Sequence, residues 1–500
     1  MNIAHMINKN IEEYGEYPLI SFNNTNFTNV EINKRANQLA KSLRDKGIVE
    51  DDRVLVMLPN IPDVLISYQA VMRLGAIIVP ISDSLNKHEV DYVIQNCEPT
   101  AVITNDVNAS KITTEAYDYL KQLIIINHDD VQAHLQAPSD EWVEIVEKQK
   151  DDVVAIIYTS GTTGLPKGAM ITHGNIYSVH MEVQGLGLLD KNQKSTVETG
   201  FSMLVVLPIS HIFGLTVTMM SYLIGARIVL MPRFELEEMF TLIEKENIRL
   251  LSGVPTIFYR MAQYAESVNV NVSSVDYWIT GAAPLSEDVR AYFENVFQKR
   301  LLEGYGLTET TSSFALQRPD SIKVNSVGKS FPESEVAVFS EEGEKLPKGS
   351  IGELAIKGPN VMKGYYKMPR ETEETIRDGW LMTGDVGYID EDNDIFIIDR
   401  KKDIIIRGGF NVYPVEVEKV LQQHPDVAIA GVVGEDNDEL GEVVKAYVTV
   451  HPGKIVREED IILYCKDKLS SYKTPESVVF LPELPINELG KVVRKKLRNM

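Results

Sequence analysis

Hydrophobic and polar positions alternate along roughly the first 325 residues in a repeated strand–helix–strand pattern. The apolar runs at 53–58 and 77–81 predict buried strands, and the stretch at 63–76 between them predicts a helix. Thr28 and Glu31 have the spacing of a capping box, which predicts that a helix begins there. Because helices that cover a sheet also connect its parallel strands, this pattern predicts an α/β fold with doubly wound sheets.

The pattern changes after about residue 325. Short apolar runs separated by Glu-Gly and Lys-Gly turn signals predict β-hairpins. A charged stretch at 390–409 leads into a final block of about 100 residues with the pattern of a small α+β domain. Few contacts cross a polar segment between packed units, so we expect one domain at 1–399 and a second at 400–500.

One stretch, 200–226, contains no Lys, Arg, Asp or Glu and is long enough to cross a bilayer. Pro208, Ser210 and His211 interrupt it, and part of it has the alternation of a strand. The stretch therefore predicts a buried strand, a loop and a core helix rather than a membrane span.

Composition excludes several classes of protein. Hydrophobic residues make up 44% of the 500 residues and charged residues 24%, as in soluble globular proteins. The formal net charge of −22 repels a nucleic-acid backbone, so we expect no nucleic-acid partner. Two distant cysteines argue against a disulfide framework, and the first 17 residues have no signal-peptide pattern. We expect a cytoplasmic protein.

Residues 158–170 read YTSGTTGLPKGAM and predict a loop that binds a polyphosphate. Glycines let the backbone approach an anion, hydroxyl and backbone N–H groups donate hydrogen bonds, and Lys167 supplies a positive charge. A kinase-type P-loop needs Gly directly before this Lys and Ser or Thr directly after it. Here Pro166 precedes Lys167 and Gly168 follows it, so that geometry is excluded. The loop alone is also compatible with a surface turn.

Further motifs follow in order along the chain. They are LPISHIFG at 207–214, GAAPL at 281–285, EGYGLTET at 303–310, TGD at 383–385, DRKKDIIIRGGFNVYPVEVE at 399–418 and NELGKVVRKKL at 487–497. Together with the loop, they resemble the motifs of the adenylate-forming (AMP-binding) superfamily, and most closely those of bacterial fatty-acyl-CoA synthetases. The resemblance covers nearly the whole chain. It implies a large N-terminal domain with a small β-barrel-like subdomain and a small, mobile α+β C-terminal domain.

The resemblance also implies a site for ATP and AMP. Its residues would be Thr159, Ser160, Gly161, Thr162, Thr163, Gly164, Lys167, Gly281, Ala282, Glu303, Gly304, Tyr305, Gly306, Thr308, Asp385, Arg400 and Lys491. By the same resemblance, Tyr305 stacks on adenine and Thr308 contacts phosphate. Glu309 holds Mg²⁺, which prefers oxygen ligands. Asp385 and Arg400 bind the ribose.

The remaining roles concern the reacting groups. The resemblance implies that Lys491 clamps the acyl carboxylate and a phosphate oxygen, and that His211 lies near that carboxylate. It implies a hinge at Lys402, and a loop carrying Gly408 and Gly409 that faces the site during the thioester step. The motif at 207–214 has no Asp to pair an ammonium group, which disfavours an amino-acid substrate.

The implied activity is that of an ATP-dependent acid–thiol ligase. A fatty carboxylate, ATP and CoA would give acyl-CoA, AMP and pyrophosphate through an acyl-adenylate. The apolar stretch at 200–231, with Phe213, Met219 and Met220, suits an aliphatic chain. It disfavours a dicarboxylate, which would need a buried cation, for which Arg227 is the nearest candidate. Alternatives are an aryl-acid substrate, transfer to a carrier protein, a non-catalytic nucleotide-binding protein, and phosphotransfer. The sequence is compatible with peripheral contact with a membrane and with a homodimer.

Overall fold

The computed structural model of the protein describes residues 1–126, 141–159, 166–185, 200–437, 439–451, 453–486 and 492–500. Four β-sheets with covering helices make up this part of the chain. The helices are His5–Tyr14, Asn29–Asp45, Pro62–Arg73, Lys87–Cys97, Asp106–Ala109, His173–Gly185, Ile212–Ile224, Leu236–Lys245, Pro255–Ser267, Glu287–Phe297, Pro369–Thr375, Pro414–Gln422, Glu458–Lys466 and Arg494–Arg498.

The first sheet has nine strands and a mostly parallel centre, as predicted. In spatial order its strands are Lys329–Ser330, Ser312–Leu316, Leu301–Leu307, Tyr277–Thr280, Leu250–Gly253, Ser202–Val205, Arg227–Leu230, Pro18–Phe22 and Thr25–Thr28. The three strands from Leu301 to Ser330 pair antiparallel, which places the motif at 303–310 where the sheet changes from parallel to antiparallel.

The second sheet has seven strands and carries the predicted phosphate loop. Its order is Gly364–Tyr365, Lys167–Thr172, Val153–Thr159, Ile77–Pro80, Arg53–Met57, Ala101–Thr104 and Gln122–Ile125. Every residue of the helix Pro62–Arg73 is buried, because this helix lies in the apolar core between the first two sheets. The predicted capping interaction is present in the preceding helix, where the Thr28 hydroxyl accepts a hydrogen bond from the Glu31 N–H at 3.1 Å.

The third sheet is the small β-subdomain that the turn signals predicted. It pairs Glu335–Phe339, Gly352–Lys357, Trp380–Ile389, Ile376–Arg377 and Ile395–Arg400, all antiparallel. The fourth sheet forms the C-terminal α+β unit and comprises Phe410–Val412, Ile405–Arg407, Gly441–Val450, Val427–Asn437 and Ser477–Phe480. A single 3₁₀ turn, Lys401–Asp403, joins the third sheet to the fourth. The domain boundary at 399/400 stays a prediction.

The uncharged stretch at 200–226 forms the strand Ser202–Val205 and the 13-residue helix Ile212–Ile224, which confirms the prediction of core elements. In the part of the chain that the structure describes, no helix is long and apolar enough to cross a membrane.

Candidate active site

The predicted phosphate loop connects two antiparallel strands, Val153–Thr159 and Lys167–Thr172, and Thr159 is paired with Lys167. Five predicted loop residues lie outside the described part of the chain: Ser160, Gly161, Thr162, Thr163 and Gly164. A kinase-type P-loop instead leads from a strand into a helix whose N-terminus binds the phosphates. The strand-to-strand connection therefore agrees with the exclusion of a kinase-type loop by Pro166 and Gly168.

Lys167 and Glu309 both contact Tyr365, a residue to which the sequence assigned no role. The Lys167 Nζ atom lies 5.0 Å from the centre of the Tyr365 ring, and the Tyr365 hydroxyl donates a hydrogen bond to Glu309 Oε1 at 2.7 Å. The two-residue strand Gly364–Tyr365 pairs with Met170 and Ala169 beside the loop. Burial and, next, the charge of Glu309 raise the pKa of Tyr365, which keeps its hydroxyl a donor at neutral pH.

The donor set around Glu309 fits Mg²⁺. This ion usually binds one or two carboxylates and completes its shell with nucleotide phosphates and water. No cluster of three or more His, Cys, Asp or Glu side chains suited to a metal occurs among the described residues. One or two carboxylates that share the ion with phosphate oxygens are therefore compatible with these residues.

The backbone around Glu309 is strained. The 3₁₀ turn Thr308–Thr310 is followed by Thr311 and Ser312, whose φ angles of 54° and 83° are unusual for residues other than glycine. The Thr311 hydroxyl donates to the Asn360 carbonyl at 2.8 Å and helps to hold this bend. A Cβ atom at Gly306 would lie 1.9 Å from the Ser312 carbonyl oxygen, so only glycine fits there. Such strain is common where a binding residue must be aimed.

Tyr305, Asp385 and Arg400 form one contiguous group. Asp385 and Arg400 are paired on neighbouring strands, and Arg400 Nε forms an ion pair with Asp385 Oδ1 at 2.6 Å. The Tyr305 hydroxyl donates to the other Asp385 oxygen, and its ring packs edge to face on Phe314 with centroids 4.9 Å apart. Burial and then the charge of Asp385 raise the pKa of Tyr305. The residues predicted to contact adenine and ribose thus lie together.

Glu303 has its carboxylate bound within the protein. Arg290 Nη2 donates to Glu303 Oε2 at 3.1 Å, and the Leu285 N–H donates to Oε1 at 3.3 Å. Burial raises the pKa of Glu303 to about 7, against the lowering effect of Arg290. These contacts anchor the segment that begins with Gly281 and Ala282, and Ala282 has a φ of 63°. No motif indicated Arg290 as a partner of Glu303, because Arg290 lies on a separate element, the helix Glu287–Phe297.

His211 caps the helix Ile212–Ile224. Its Nδ1 atom accepts a hydrogen bond from the Phe213 N–H at 3.3 Å, which leaves the ring hydrogen on Nε2. Burial lowers the pKa of His211 to about 4, so the imidazole is neutral at pH 7. A neutral ring with its hydrogen on Nε2 can donate a hydrogen bond to a carboxylate.

The family model described as AMP-binding enzyme matches residues 7–366, and that described as AMP-binding enzyme C-terminal domain matches residues 416–491. The chain belongs to the AMP-binding enzyme family. It is 34% identical to a long-chain-fatty-acid–CoA ligase of Bacillus subtilis (strain 168), over 96% of this chain and 90% of that protein. It is 32% identical to 4-coumarate–CoA ligase 2 of Nicotiana tabacum, over 98% and 92% of the two chains.

The solved structure of ATP-bound MatB from Rhodopseudomonas palustris superposes with a TM-score of 0.92 at 29% identity, covering 100% of this chain and 99% of that one. The apo form of the same protein gives a TM-score of 0.81. These relatives show that this AMP-binding enzyme is an adenylate-forming CoA ligase, and thus an AMP-forming acid–thiol ligase.

The AMP-binding enzyme contains an apolar cavity of about 70 Å³. Its walls come from five elements: His173–Gly185, Ile212–Ile224, Leu250–Gly253, Tyr277–Thr280 and Ser312–Leu316. Two of the residues expected to form an acyl pocket, Phe213 and Met220, line it, whereas Met219 is buried in the core. Tyr277, Phe331 and His180 also line the cavity, and the sequence did not indicate them.

Two observations describe the surroundings of this cavity and the partner of Arg227. A Cβ atom at Gly281 would lie 3.7 Å from the Phe213 ring, so the predicted adenine segment adjoins the cavity wall. Arg227, the nearest candidate to pair a second substrate carboxylate, is instead bound to Glu246 at 2.9 Å.

The residues predicted for the thioester step lie in a different sheet from the nucleotide residues. Gly408 and Gly409 form the two-residue turn between Ile405–Arg407 and Phe410–Val412, and their φ values of 57° and 84° are those of a type I′ hairpin. Lys402 lies in the 3₁₀ turn before this hairpin. Lys491 lies outside the described residues.

Arg494, three residues beyond Lys491, binds three carboxylates. It contacts Glu418 at 2.6 Å, Asp403 at 3.1 Å and Asp399 at 3.2 Å, which ties the C-terminal segment to both sides of the predicted hinge. The motif NELGKVVRKKL contains Arg494, but its spacing did not indicate these partners.

Proposed function

We propose that this AMP-binding enzyme activates a fatty acid. One carboxylate oxygen attacks the α-phosphorus of ATP, the bond to the bridging oxygen breaks, and pyrophosphate leaves as the acyl-adenylate forms. The sulfur of CoA then attacks the acyl carbon and loses its proton, and AMP leaves as acyl-CoA forms. This order needs no nucleophile from the protein.

The observation that carries the proposal is that an apolar cavity adjoins the segment predicted to bind adenine, because a Cβ atom at Gly281 would lie 3.7 Å from the ring of Phe213 in the cavity wall. Lys167, Tyr365 and Glu309 form a group suited to the β- and γ-phosphates. Tyr305 joins Asp385 and Arg400 in a group suited to adenosine. We expect the carboxylate of an acid in the cavity to meet the α-phosphate of ATP next to the predicted adenine segment.

The protein contributes mainly electrostatic stabilisation in this proposal. His211 donates from Nε2 to the carboxylate, and Lys491 neutralises charge that develops as the bridging oxygen leaves. Mg²⁺ held by Glu309 would neutralise phosphate charge when bound. Gly408 and Gly409 approach the pantetheine thiol during the second half-reaction.

The apolar walls of the cavity support an aliphatic substrate. The fatty-acid relative from Bacillus subtilis, 34% identical, supports the same class. The ion pair between Arg227 and Glu246 leaves that arginine occupied, which argues against a dicarboxylate.

An aryl acid is the second candidate, and one observation favours it. Phe213, Tyr277 and Phe331 give the cavity three aromatic walls that suit a planar ring. A 4-coumarate–CoA ligase is among the relatives, at 32% identity. A carrier-protein thiol in place of CoA is the alternative acceptor.

Acid-dependent exchange of pyrophosphate into ATP tests the first half-reaction. The panel runs from acetate to oleate and includes aryl acids, and we expect the highest rate with a medium- or long-chain fatty acid. Adding CoA or a carrier protein to the best acid then identifies the acceptor. Exchange with none of the acids, or release of ADP instead of AMP, would overturn the proposal.

A further inference from the structure

His180 lies in the wall of the cavity, on the helix His173–Gly185. Val179 and Val183 line the cavity from the same face of this helix, at spacings that place the three side chains together. The His180 side chain is 1% exposed, so its polar atoms are shielded from solvent.

The hydrogen bonds of His180 fix which ring nitrogen carries the hydrogen. Its Nε2 atom lies 3.0 Å from the Thr216 carbonyl oxygen, which can only accept, so Nε2 must donate. Burial lowers the pKa of His180 to about 4, so the ring carries one hydrogen at pH 7. Nδ1 is therefore a bare acceptor, and it has no hydrogen-bond partner among the described residues.

The neighbouring groups of the wall do not satisfy this acceptor. The Thr216 hydroxyl donates to the carbonyls of Ile212 and Phe213, at 2.9 and 3.1 Å. Of the described residues that line the cavity, His180 is the one with a buried polar side-chain atom left unpaired. A buried acceptor without a partner is unfavourable, and a bound molecule that donates a hydrogen bond would relieve this cost.

We propose that His180 Nδ1 accepts a hydrogen bond from a hydroxyl group on the acid substrate, so that the enzyme prefers hydroxylated acids. The proposal rests on the proposed function, because it takes the cavity as the acyl site. Thr216 lies five residues beyond His211 on one helix, a rise of about 7.5 Å. The hydroxyl would therefore lie at the far end of the acid, as in a para-hydroxylated aryl acid or a short ω-hydroxy fatty acid.

Matched pairs of acids test the preference. The pairs are 4-hydroxycinnamate with cinnamate, and 6-hydroxyhexanoate with hexanoate, and the measurement is kcat/KM for pyrophosphate exchange. We expect the wild-type enzyme to favour the hydroxylated member of at least one pair by about 10- to 100-fold, because an unpaired site rejects the analogue without the hydroxyl. The pair that shows the preference distinguishes the aryl from the aliphatic source.

Substitutions assign the preference to His180. His180→Leu should lower kcat/KM for the hydroxylated acid by about the same factor and change that of its partner by less than about threefold. His180→Gln keeps an acceptor and should retain part of the preference. Val183→Ala, on the same wall, is the control and should change both members of a pair in parallel. Thermal unfolding of each variant checks that it is folded.

The outcomes separate the two proposals. If none of the acids supports pyrophosphate exchange, both the proposed function and this inference are wrong. Exchange at equal rates within both pairs overturns the inference alone, as does an equal loss for both members in His180→Leu. If His180→Leu does not fold, the inference is tested by the preference of the wild-type enzyme and by whether His180→Gln retains part of it. Loss of the whole preference in a folded His180→Gln variant would then contradict the inference.

Discussion

Tyr365 contacts both a cation and a carboxylate. It contacts Lys167 through its ring and Glu309 through its hydroxyl, although the three residues belong to three separate segments of the chain. The hydroxyl donates to one oxygen of Glu309, and we expect the other oxygen to bind the metal ion. Tyr365 therefore acts on the predicted Mg²⁺ ligand as a positioning residue.

We expect Tyr365→Phe to lower kcat for pyrophosphate exchange by about 10-fold and to raise the Mg²⁺ concentration that the enzyme needs. The ring that contacts Lys167 stays, whereas a hydrogen bond to a charged group is lost. Exchange measured over a Mg²⁺ titration checks this. Tyr366→Phe, at the adjacent position, is the control, and an unchanged Mg²⁺ dependence in Tyr365→Phe would contradict the expectation.

Glu182 is a buried carboxyl group that lies near the Glu333 backbone and the Ser334 hydroxyl. Burial raises the pKa of Glu182 to about 7 from an ordinary value of 4.5. A raised folded-state pKa means that the native state holds the proton more tightly than the unfolded state. The cost of ionising Glu182 is therefore absent below about pH 4.5 and grows until about pH 7.

Glu182→Gln should accordingly raise the free energy of unfolding at pH 8 by about 1–3 kcal/mol and change it little at pH 5. Urea unfolding at the two pH values measures this difference. An equal gain at both values would show that the effect comes from packing rather than from the charge.

At the scale of elements, predictions that depended on local signals are confirmed. The capping pattern at Thr28 and Glu31 begins the helix Asn29–Asp45, and the breaks at Pro208 and His211 separate the strand Ser202–Val205 from the helix Ile212–Ile224. The spacing of apolar positions and the capping residues carry this information along the chain.

Contacts between distant segments were not predictable. The strand Gly364–Tyr365 has only two residues, too few for a hydrophobic period, and its pairing with Ala169 and Met170 joins segments about 195 residues apart. The partners of Glu303 and Arg494 likewise come from other elements. The types and the order of the candidate site residues could be predicted from the sequence. The distances between them could not, because these distances depend on how the sheets pack.

Arg494 illustrates how such contacts hold an element in place. It pairs with buried Asp399 and also with Asp403 and Glu418. Burial alone would lower the pKa of Arg494, but Glu418 and the two aspartates raise it, so the guanidinium stays charged. Removing it would leave Asp399 buried and unpaired.

We expect Arg494→Met to lower the free energy of unfolding by about 3–5 kcal/mol, as is usual when one member of a buried ion pair is lost. It should also slow pyrophosphate exchange, because Lys491 lies three residues earlier. Chemical unfolding and the exchange assay measure the two effects. Lys495→Met, at an exposed neighbouring position, should leave both unchanged. Wild-type stability in Arg494→Met would contradict the assignment.

At the scale of the whole molecule, the arrangement of the chain resembles ATP-bound MatB more closely than the apo form, with TM-scores of 0.92 and 0.81. The proposed function needs a second arrangement in which Gly408 and Gly409 approach the acyl-adenylate. The 3₁₀ turn Lys401–Asp403 is a short link that could absorb the change in backbone angles.

Two variants should separate the half-reactions. We expect Lys491→Ala to abolish pyrophosphate exchange and Gly409→Leu to retain it while blocking thioester formation, because leucine strains a φ of 84° and fills space next to the thiol path. Exchange and acyl-CoA formation, assayed in parallel, test the pair. Equal loss of both activities in Gly409→Leu would refute the two-arrangement assignment.

The group formed by Tyr305, Asp385 and Arg400 has a consequence for energetic coupling. Arg400 lies two residues before Lys402, so the carboxylate predicted to bind the ribose also holds the residue next to the proposed hinge. A nucleotide that binds Asp385 would change the contacts of Arg400. By thermodynamic linkage, the factor by which the nucleotide shifts the equilibrium between the two arrangements equals the ratio of its affinities for them. The release of AMP would then change the relative populations of the two arrangements.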